Sequence, residues 1–328
     1  MAQDFDRSLN SAPARHVPLP EAVLVIAIPT LDRPEMLWDL LTRGLVRLEK
    51  PEGVALRILV VDNSASGDWD VLVAEAARQS GLPLIYRHEP ARGLARVRNR
   101  CLDEAAALGG DLVCFVDDDQ TPVPGALVAH LRMLRAQDAQ AVFGAVCARY
   151  LAPAPRWMQR GRVHDGPPHD DGETVDYADT SNILFDLHFA QRVGLRFDDA
   201  FNFTGGEDTL FFRSLHARGG RIVFSSEALF YENITAPRAT LGWLVRRWRW
   251  TGNTCGRIDL ALAGEQRRVT LVLGGIARVL GGAALALTAL PAALLGRFDH
   301  LAEYLRVMAR GVDFVEAGAG EIGGKRGE

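Results

Sequence analysis

Leu112-Val-Cys-Phe-Val-Asp117-Asp118-Asp119-Gln-Thr121 is the stretch that decides the fold. Four of its first five residues are strongly apolar and β-prone. A run so short, ending abruptly in charge, predicts a buried parallel strand. Three adjacent carboxylates repel one another wherever they are not solvated or paired. At the carboxyl end of a buried strand they stand where open α/β sheets bind ligands. Strand alternation puts Asp117 and Asp119 on one side and Asp118 on the other. Two hard oxygen donors at i and i+2 suit a Mg²⁺ or Mn²⁺ that also holds substrate phosphates.

Outward from this run, the pattern alternates. Residues 23–28 form an apolar strand stopped by Pro29-Thr30, and residues 35–48 have helical periodicity with Pro34 at an early helical position. Strand 56–61 closes on Asp62-Asn63-Ser64. Helix 70–80, strand 84–86 and helix 93–108 follow, the last carrying Arg96, Arg98 and Arg100. Alternating β and α with sharp polar strand ends predicts a doubly wound, mostly parallel α/β sheet. Further on come a helix at 125–137, a strand at 141–150, and a loop at 153–173 rich in Pro, Gly, His and Asp. A strand at 180–185, a helix at 209–218, short extended pieces at 221–224 and 228–231, and a helix at 241–250 complete the pattern.

Composition narrows the class. The 328 residues carry a net charge of −4, which gives no electrostatic case for nucleic acid as a partner. Basic residues are almost all Arg, with only Lys50 and Lys325. Cys101, Cys114, Cys147 and Cys255 lie far apart, without zinc spacing, and read as thiols in a reducing compartment. Residues 1–20 are polar, with no apolar core of a signal peptide, and read as a flexible tail. Residues 279–296 are an uncharged run, marginal in length for a membrane span. A span, a re-entrant hairpin, a buried helix and a subunit interface all fit it. The tail 317–328 is rich in Gly and charge and reads as disordered.

Ile28-Pro29-Thr30, Val60-Val61-Asp62-Asn63-Ser64, Arg98-Asn99, Val116-Asp117-Asp118-Asp119 and Gly205-Gly206-Glu207-Asp208 stand in the order seen in family 2 glycosyltransferases of the GT-A fold. The chain resembles the bacterial succinoglycan and exopolysaccharide branch of that family, over roughly residues 22–255. The resemblance implies an inverting, metal-dependent transfer, of glucose as the first candidate, from a UDP-sugar to a hydroxyl of an oligosaccharide. That acceptor would be lipid-linked and held at the cytoplasmic face of a bacterial membrane surface. It implies Asp119, with Asp117, as metal ligands. Asp117 and Asp118 would reach the ribose and Asp62 the nucleobase edge, with Pro29, Thr30 and Arg98 lining the nucleotide pocket. Asp208 would be the catalytic base, with Glu207 orienting the acceptor or a neighbouring Arg. Asn182 matches a polar position on the acceptor side. Arg246, Arg249 and Trp250 partly match the Gln-x-x-Arg-Trp motif of processive members, with Arg246 where Gln is expected, and would serve acceptor or diphosphate.

The domain reading is a GT-A domain at 21–255, with a nucleotide-binding half at 21–120 and an acceptor half at 121–255. A helical membrane-proximal segment at 256–316 follows. Rival readings are weaker. A haloacid-dehalogenase-type phosphatase would use Asp117-x-Asp119 but also a downstream lysine, and none lies between residues 51 and 324. A nucleotidylyltransferase would want a Gly-rich phosphate loop after the first strand, which Pro29-Thr30-Leu31-Asp32 is not. A non-catalytic nucleotide-sugar scaffold would have lost its base, whereas Asp208 stands.

Overall fold

A computed structural model of the chain describes residues 22–294 and 298–320. The tail expected at 1–20, and the part of the expected C-terminal tail at 321–328, lie outside these residues. In chain order the elements begin with β1 (Ala22–Thr30), α1 (Pro34–Asp39), β2 (Val54–Asp62), α2 (Asp70–Ser80), β3 (Leu84–His88), α3 (Leu94–Ala107) and β4 (Leu112–Phe115). Next come β5 (Gln120–Pro122), α4 (Ala126–Ala136), β6 (Ala141–Tyr150), α5 (Arg156–Arg160), β7 (Thr174–Val175), β8 (Ile183–Asp186), α6 (Leu187–Arg192) and α7 (Glu207–Ala217). Last are β9 (Ile222–Ile234), α8 (Leu241–Ala263), α9 (Arg268–Leu294) and α10 (Asp299–Ala319). A π-turn at Leu40–Gly44 and a 3₁₀ turn at Leu45–Arg47 finish the first helical stretch.

One mixed sheet organises the chain, in the order β3-β2-β1-β4-β8-β6-β9-β5, with β7 alongside β9. Most paired residues lie in parallel ladders, of which β1–β2, β2–β3 and β1–β4 form the N-terminal half of the sheet. The chain runs outward from β1 to β2 and β3, then returns to place β4 on the other side of β1. That reversal is a topological switch point, and it opens a crevice beyond the carboxyl ends of β1 and β4. In the second half, β8 runs antiparallel to both β4 and β6, so the doubly wound pattern stops at β4.

The buried strands explain themselves. Along β1, Val25 and Ala27 join one core layer with Val113 and Phe115, while Leu24, Ile26 and Ile28 join the other with Leu112 and Cys114. The first layer is capped by apolar residues of α3, α6 and α7, among them Cys101, Phe189 and Phe212. The second is capped by α1, α2 and α4 through Leu37, Val73 and Leu127. A strand covered on both faces must be apolar at every position, which is why β1 and β4 are unbroken hydrophobic runs. The four cysteines are free thiols, and burial pushes Cys114 up to about 12.

Several expectations shift. The pieces at 221–224 and 228–231 are one strand, β9, whose register against β6 is broken between Gly144 and Val146. Asn182 fills that irregularity. It is fully buried, and its amide donates to the carbonyls of Ala145 (2.9 Å) and Ala228 (2.7 Å). A Cβ on Gly144 would stand 2.3 Å from the Asn182 amide nitrogen. The acceptor-side role suggested for Asn182 therefore gives way to a structural one, because no face of it is left for a ligand. The loop at 153–173 contains α5, whose Met158 packs with Leu244 and Trp248 of α8. The boundary expected at 255 falls inside α8, and residues 317–319 continue α10.

His130 of α4 donates through Nε2 to the Asn182 side-chain oxygen at 2.8 Å, since the Asn182 nitrogen is already donating. Burial lowers the His130 pKa to about 4. The unfolded imidazole takes a proton near pH 6.5, so the unfolded chain binds more protons between about 6.5 and 4 and stability drains as pH falls through that window. The loss is at most about 3 kcal/mol. Replacing His130→Gln keeps a donor for Asn182 and removes the titration. The melting temperature of this variant is expected to fall less steeply than wild type between pH 6.5 and 4, as read by calorimetry. An unchanged slope would assign the acid sensitivity to other groups.

Candidate active site

The acidic triplet emerges at the switch point. The nitrogen of Val116 still pairs with the Ala27 carbonyl (3.1 Å), but the chain then turns, with the Gln120 nitrogen on the Asp117 carbonyl and the Gln120 side chain on the Asp117 nitrogen, both at 3.1 Å. Because the strand ends at Phe115, its alternation does not extend through the aspartates. Asp118 and Asp119 share Arg33 as a partner, and Asp117 lies outside that pairing. Thr30 Oγ1, at the end of β1, donates to Asp118 at 2.7 Å. Arg33 Nη1 bridges Asp118 and Asp119 at 3.1 Å each. Pro29, half-buried beside it, sits opposite Val61 in the ladder.

Arg238 completes the clamp from far along the chain. Its Nη1 donates to Asp119 Oδ2 at 3.0 Å, its other nitrogen reaches Glu232, and the guanidinium lies 5.0 Å from the Trp243 ring. His164 stacks on that ring, accepts from or donates to Tyr150, and touches the Arg238 carbonyl at 3.1 Å. The clamp thus has an aromatic wall behind it. Asp117 has no ion pair among the described residues. Burial pushes its pKa up to about 8, opposed by Arg98 and reinforced by the neighbouring carboxylates.

A second acidic pair faces the triplet. Gly205 and Gly206 both adopt left-handed backbone (φ +69° and +89°). A Cβ on Gly205 would collide with the Trp250 ring, and one on Gly206 would stand 2.0 Å from Thr254 Cγ2. Only glycine satisfies both demands. The turn aims Glu207 and Asp208 inward at the start of α7. Glu207 is fully buried against the Arg98 guanidinium, which also lies 3.6 Å from Asp208. Asp208 remains partly exposed, with one oxygen accepting from the Thr209 nitrogen at 2.7 Å. Arg98, from α3, therefore joins the two acidic groups electrostatically, for it also counters the charge on Asp117.

Asp179 belongs to the same cluster and was missed by sequence reading. Its carboxylate accepts from the Ser181 nitrogen (2.9 Å) and hydroxyl. Burial first, then Asp208, raises its pKa. Arg33 was missed too, although its place just after β1 is a signal for a switch-point residue. Arg238 has no local signal: it lies 119 positions from Asp119.

Two expected ligands point elsewhere. Asp62 is fully buried, and its carboxylate accepts from the Ser64 nitrogen (2.7 Å), the Ser64 hydroxyl (2.9 Å) and the Tyr86 hydroxyl (2.9 Å). It braces the turn that ends β2. Arg249 turns to α10, pairing with Glu316 at 2.7 Å and approaching buried Asp313 at 3.5 Å, so its fork is spent away from the triplet. Trp250 packs on Gly205 and carries Arg247 over its ring at 5.0 Å, while Arg246 is exposed.

No cage of three or more His, Cys, Asp or Glu side chains forms among the described residues. The donors at hand are the carboxylates of residues 117–119. Hard oxygens of this kind suit Mg²⁺ or Mn²⁺, which commonly take one or two carboxylates and complete their shell with substrate phosphates and water. The donor chemistry fits, provided Arg33 and Arg238 yield part of Asp119.

Residues 25–198 match the family model described as glycosyl transferase family 2. Over 233 residues the chain is 36% identical to the succinoglycan biosynthesis protein ExoM of Rhizobium meliloti, covering 71% of this chain and 74% of that one. It is 35% identical over 123 residues to the uncharacterized protein MT1568 of Mycobacterium tuberculosis, covering 37% of this chain and 36% of that one. Among solved structures, S. aureus TarS 1–349 superposes with a TM-score of 0.51 at 16% identity, covering 92% of each chain. The same protein in complex with UDP-GlcNAc gives 0.50 at 15% identity, again over 92% of each chain. These structures share the fold.

The glycine turn generates a test. Gly206→Ala is expected to cost about 2 kcal/mol or more, from the left-handed backbone and the clash with Thr254. Adding Thr254→Ser removes Cγ2 and is expected to restore part of the loss, as read by thermal unfolding. No rescue would mean that the backbone alone sets the cost.

Proposed function

The chain belongs to glycosyl transferase family 2, and from that premise we propose that it is an inverting transferase. It moves a hexose from a UDP-sugar, with UDP-glucose the first to test, onto a hydroxyl of a lipid-linked oligosaccharide in surface or exopolysaccharide assembly. The observation that carries this reading is the convergence of two groups at one switch-point crevice. One is the triplet 117–119 under Arg33 and Arg238; the other is the pair Glu207 and Asp208 under Arg98. The name of the 36% identical relative supports the polysaccharide class of acceptor.

The chemistry needs two things of the protein. The leaving UDP develops charge on its diphosphate, and that charge must be met. Mg²⁺ or Mn²⁺ held by Asp119 and Asp117 would supply this when bound. Arg33 and Arg238 stand beside Asp119 with fork donors suited to phosphate oxygens. On the other side, the acceptor hydroxyl needs a base. Asp208, partly exposed at the mouth of α7, takes that proton as the acceptor oxygen bonds to the anomeric carbon and the bond to UDP breaks. A single displacement of this kind inverts the anomeric centre and requires no protein nucleophile. Glu207 is the buried counter-ion that fixes Arg98, a positioning residue. Asp118 and Thr30 line the ribose side, and Asp62 holds the turn that borders the base.

Asp208→Asn is expected to leave UDP binding within about twofold of wild type while lowering transfer by roughly 10²–10⁴-fold. Calorimetry and a UDP-release assay read the two quantities. Equal loss of both would demote Asp208 to a structural residue. Asp119→Ala is expected to abolish the effect of Mn²⁺ on UDP binding; a retained metal effect would move the cation elsewhere.

A further inference from the structure

α9 is long and apolar enough to cross a membrane by length and composition. Its placement argues for a different seating. α10 packs antiparallel along it through small residues. A Cβ on Gly275 would stand 2.6 Å from the Gly311 carbonyl, one on Gly282 would press Met308, and one on Gly318 would press Val272. α10 in turn docks on α8, where Gly252 meets the Arg310 backbone, Gly256 meets Ala317, and Arg249 pairs with Glu316. The three helices form layers, with α9 outermost. A transverse α9 would carry Glu303, Arg306 and Arg310 of α10 into hydrocarbon, at about 2.5–3.5 kcal/mol each. It would otherwise have to shed the glycine-packed interface.

The outer face of α9 is apolar and open. Val269, Leu273, Ile276, Leu280, Leu287 and Leu290 are exposed, Leu280 by 65%. A coiled-coil seam with a second copy would be a narrow apolar stripe flanked by charge. Here the flanking positions 277, 281, 284, 285 and 288 are exposed and uncharged. The one charge between residues 269 and 296 is Arg278, and its guanidinium lies 4.8 Å from the Phe314 ring of α10. A helix uncharged over so broad a face matches lipid better than it matches a coiled-coil seam. Charge agrees. Residues 241–328 hold 12 Lys and Arg against 8 Asp and Glu, whereas residues 1–240 hold 25 against 33. Residues 264–294, which carry the apolar face, hold Arg267, Arg268 and Arg278 against Glu265 alone.

We propose that α9 lies flat in the interface of an anionic lipid surface, apolar face down, with α10 as the layer joining it to the catalytic domain. At 27 residues it would cover about 40 Å of membrane plane. This deepens the membrane-face reading of the acceptor and is independent of the residues assigned to chemistry.

The test uses the full chain with vesicles of phosphatidylcholine, with and without phosphatidylglycerol. Flotation is expected with both and stronger with the anionic lipid. Leu273→Glu with Leu280→Glu is expected to weaken flotation by more than about tenfold, with UDP binding unchanged as the sign that the catalytic fold is intact. Depth decides the seating. Leu273→Cys, Leu280→Cys and Leu287→Cys, each with Cys147→Ser and Cys255→Ser, are labelled with an environment-sensitive fluorophore and quenched by lipids spin-labelled at shallow or deep positions. Equal shallow depth at all three supports the proposal. A deep centre at 280 with shallower flanks means a span and overturns it. No flotation, or self-association that masks the same residues, overturns it as well. UDP binding read on the same samples keeps failure of the membrane proposal separate from failure of the enzymatic one.

Discussion

Three carboxylates in a row at the end of a buried strand are tolerable only if something neutralises them. Arg33 and Arg238 do so for Asp118 and Asp119, and Thr30 adds a short hydrogen bond. Asp117 is left without such a partner, and burial pushes it toward the protonated form. The wider cluster also holds Asp179, Glu207, Asp208 and Glu232, against the further guanidinium of Arg98. Carboxylates outnumber arginines there, and burial raises the pKa of Asp117, Asp118, Asp119 and Asp179, so the crevice is short of positive charge in a partly desolvated place. Such an imbalance costs stability, and a protein keeps it where a cationic ligand or a proton is to be handled. The sheet supplies the place: the switch point between β1 and β4 brings Thr30 and the triplet side by side, and the ladder partners are too apolar to compete for charge.

The β-strands and their polar stops were legible because burial on both faces forces an unbroken apolar run, as in Leu112 to Val116. The glycine pair was legible as a turn before an acidic helix mouth. What lay beyond reach was long-range. Nothing near Arg238 marks it as the partner of Asp119, and only the β5–β9 ladder carries it there. Asp62 matched the family position for the nucleobase edge, yet Tyr86 of the next strand and Ser64 of its own turn use its carboxylate. Arg249 followed a motif spacing, but the acidic face of α10 captures it. Asn182 matched a polar position on the family's acceptor side; it is instead the filler of a break in register. For Arg238, Arg249 and Asn182 the deciding partner lies far away in sequence.

α8 joins the two halves of the molecule. On one side Trp250 and Thr254 press against Gly205 and Gly206, so the helix holds the turn that presents Glu207 and Asp208. On the other, its glycines accept α10 at close range. A helix clamped at both faces transmits position: whatever seats α9 and α10 also sets where Asp208 stands relative to it. On the membrane seating proposed above, this sets the reach of Asp208 toward an acceptor anchored in lipid.

The most direct test is a UDP-release assay on purified protein with Mn²⁺ and a panel of nucleotide sugars, run with and without EDTA and with a membrane-lipid extract. Expected is release from one UDP-sugar that EDTA abolishes and the extract increases. Silence with every donor, together with no measurable UDP binding, would contradict the assignment of the crevice under Arg33 and Arg238 as the nucleotide-sugar site.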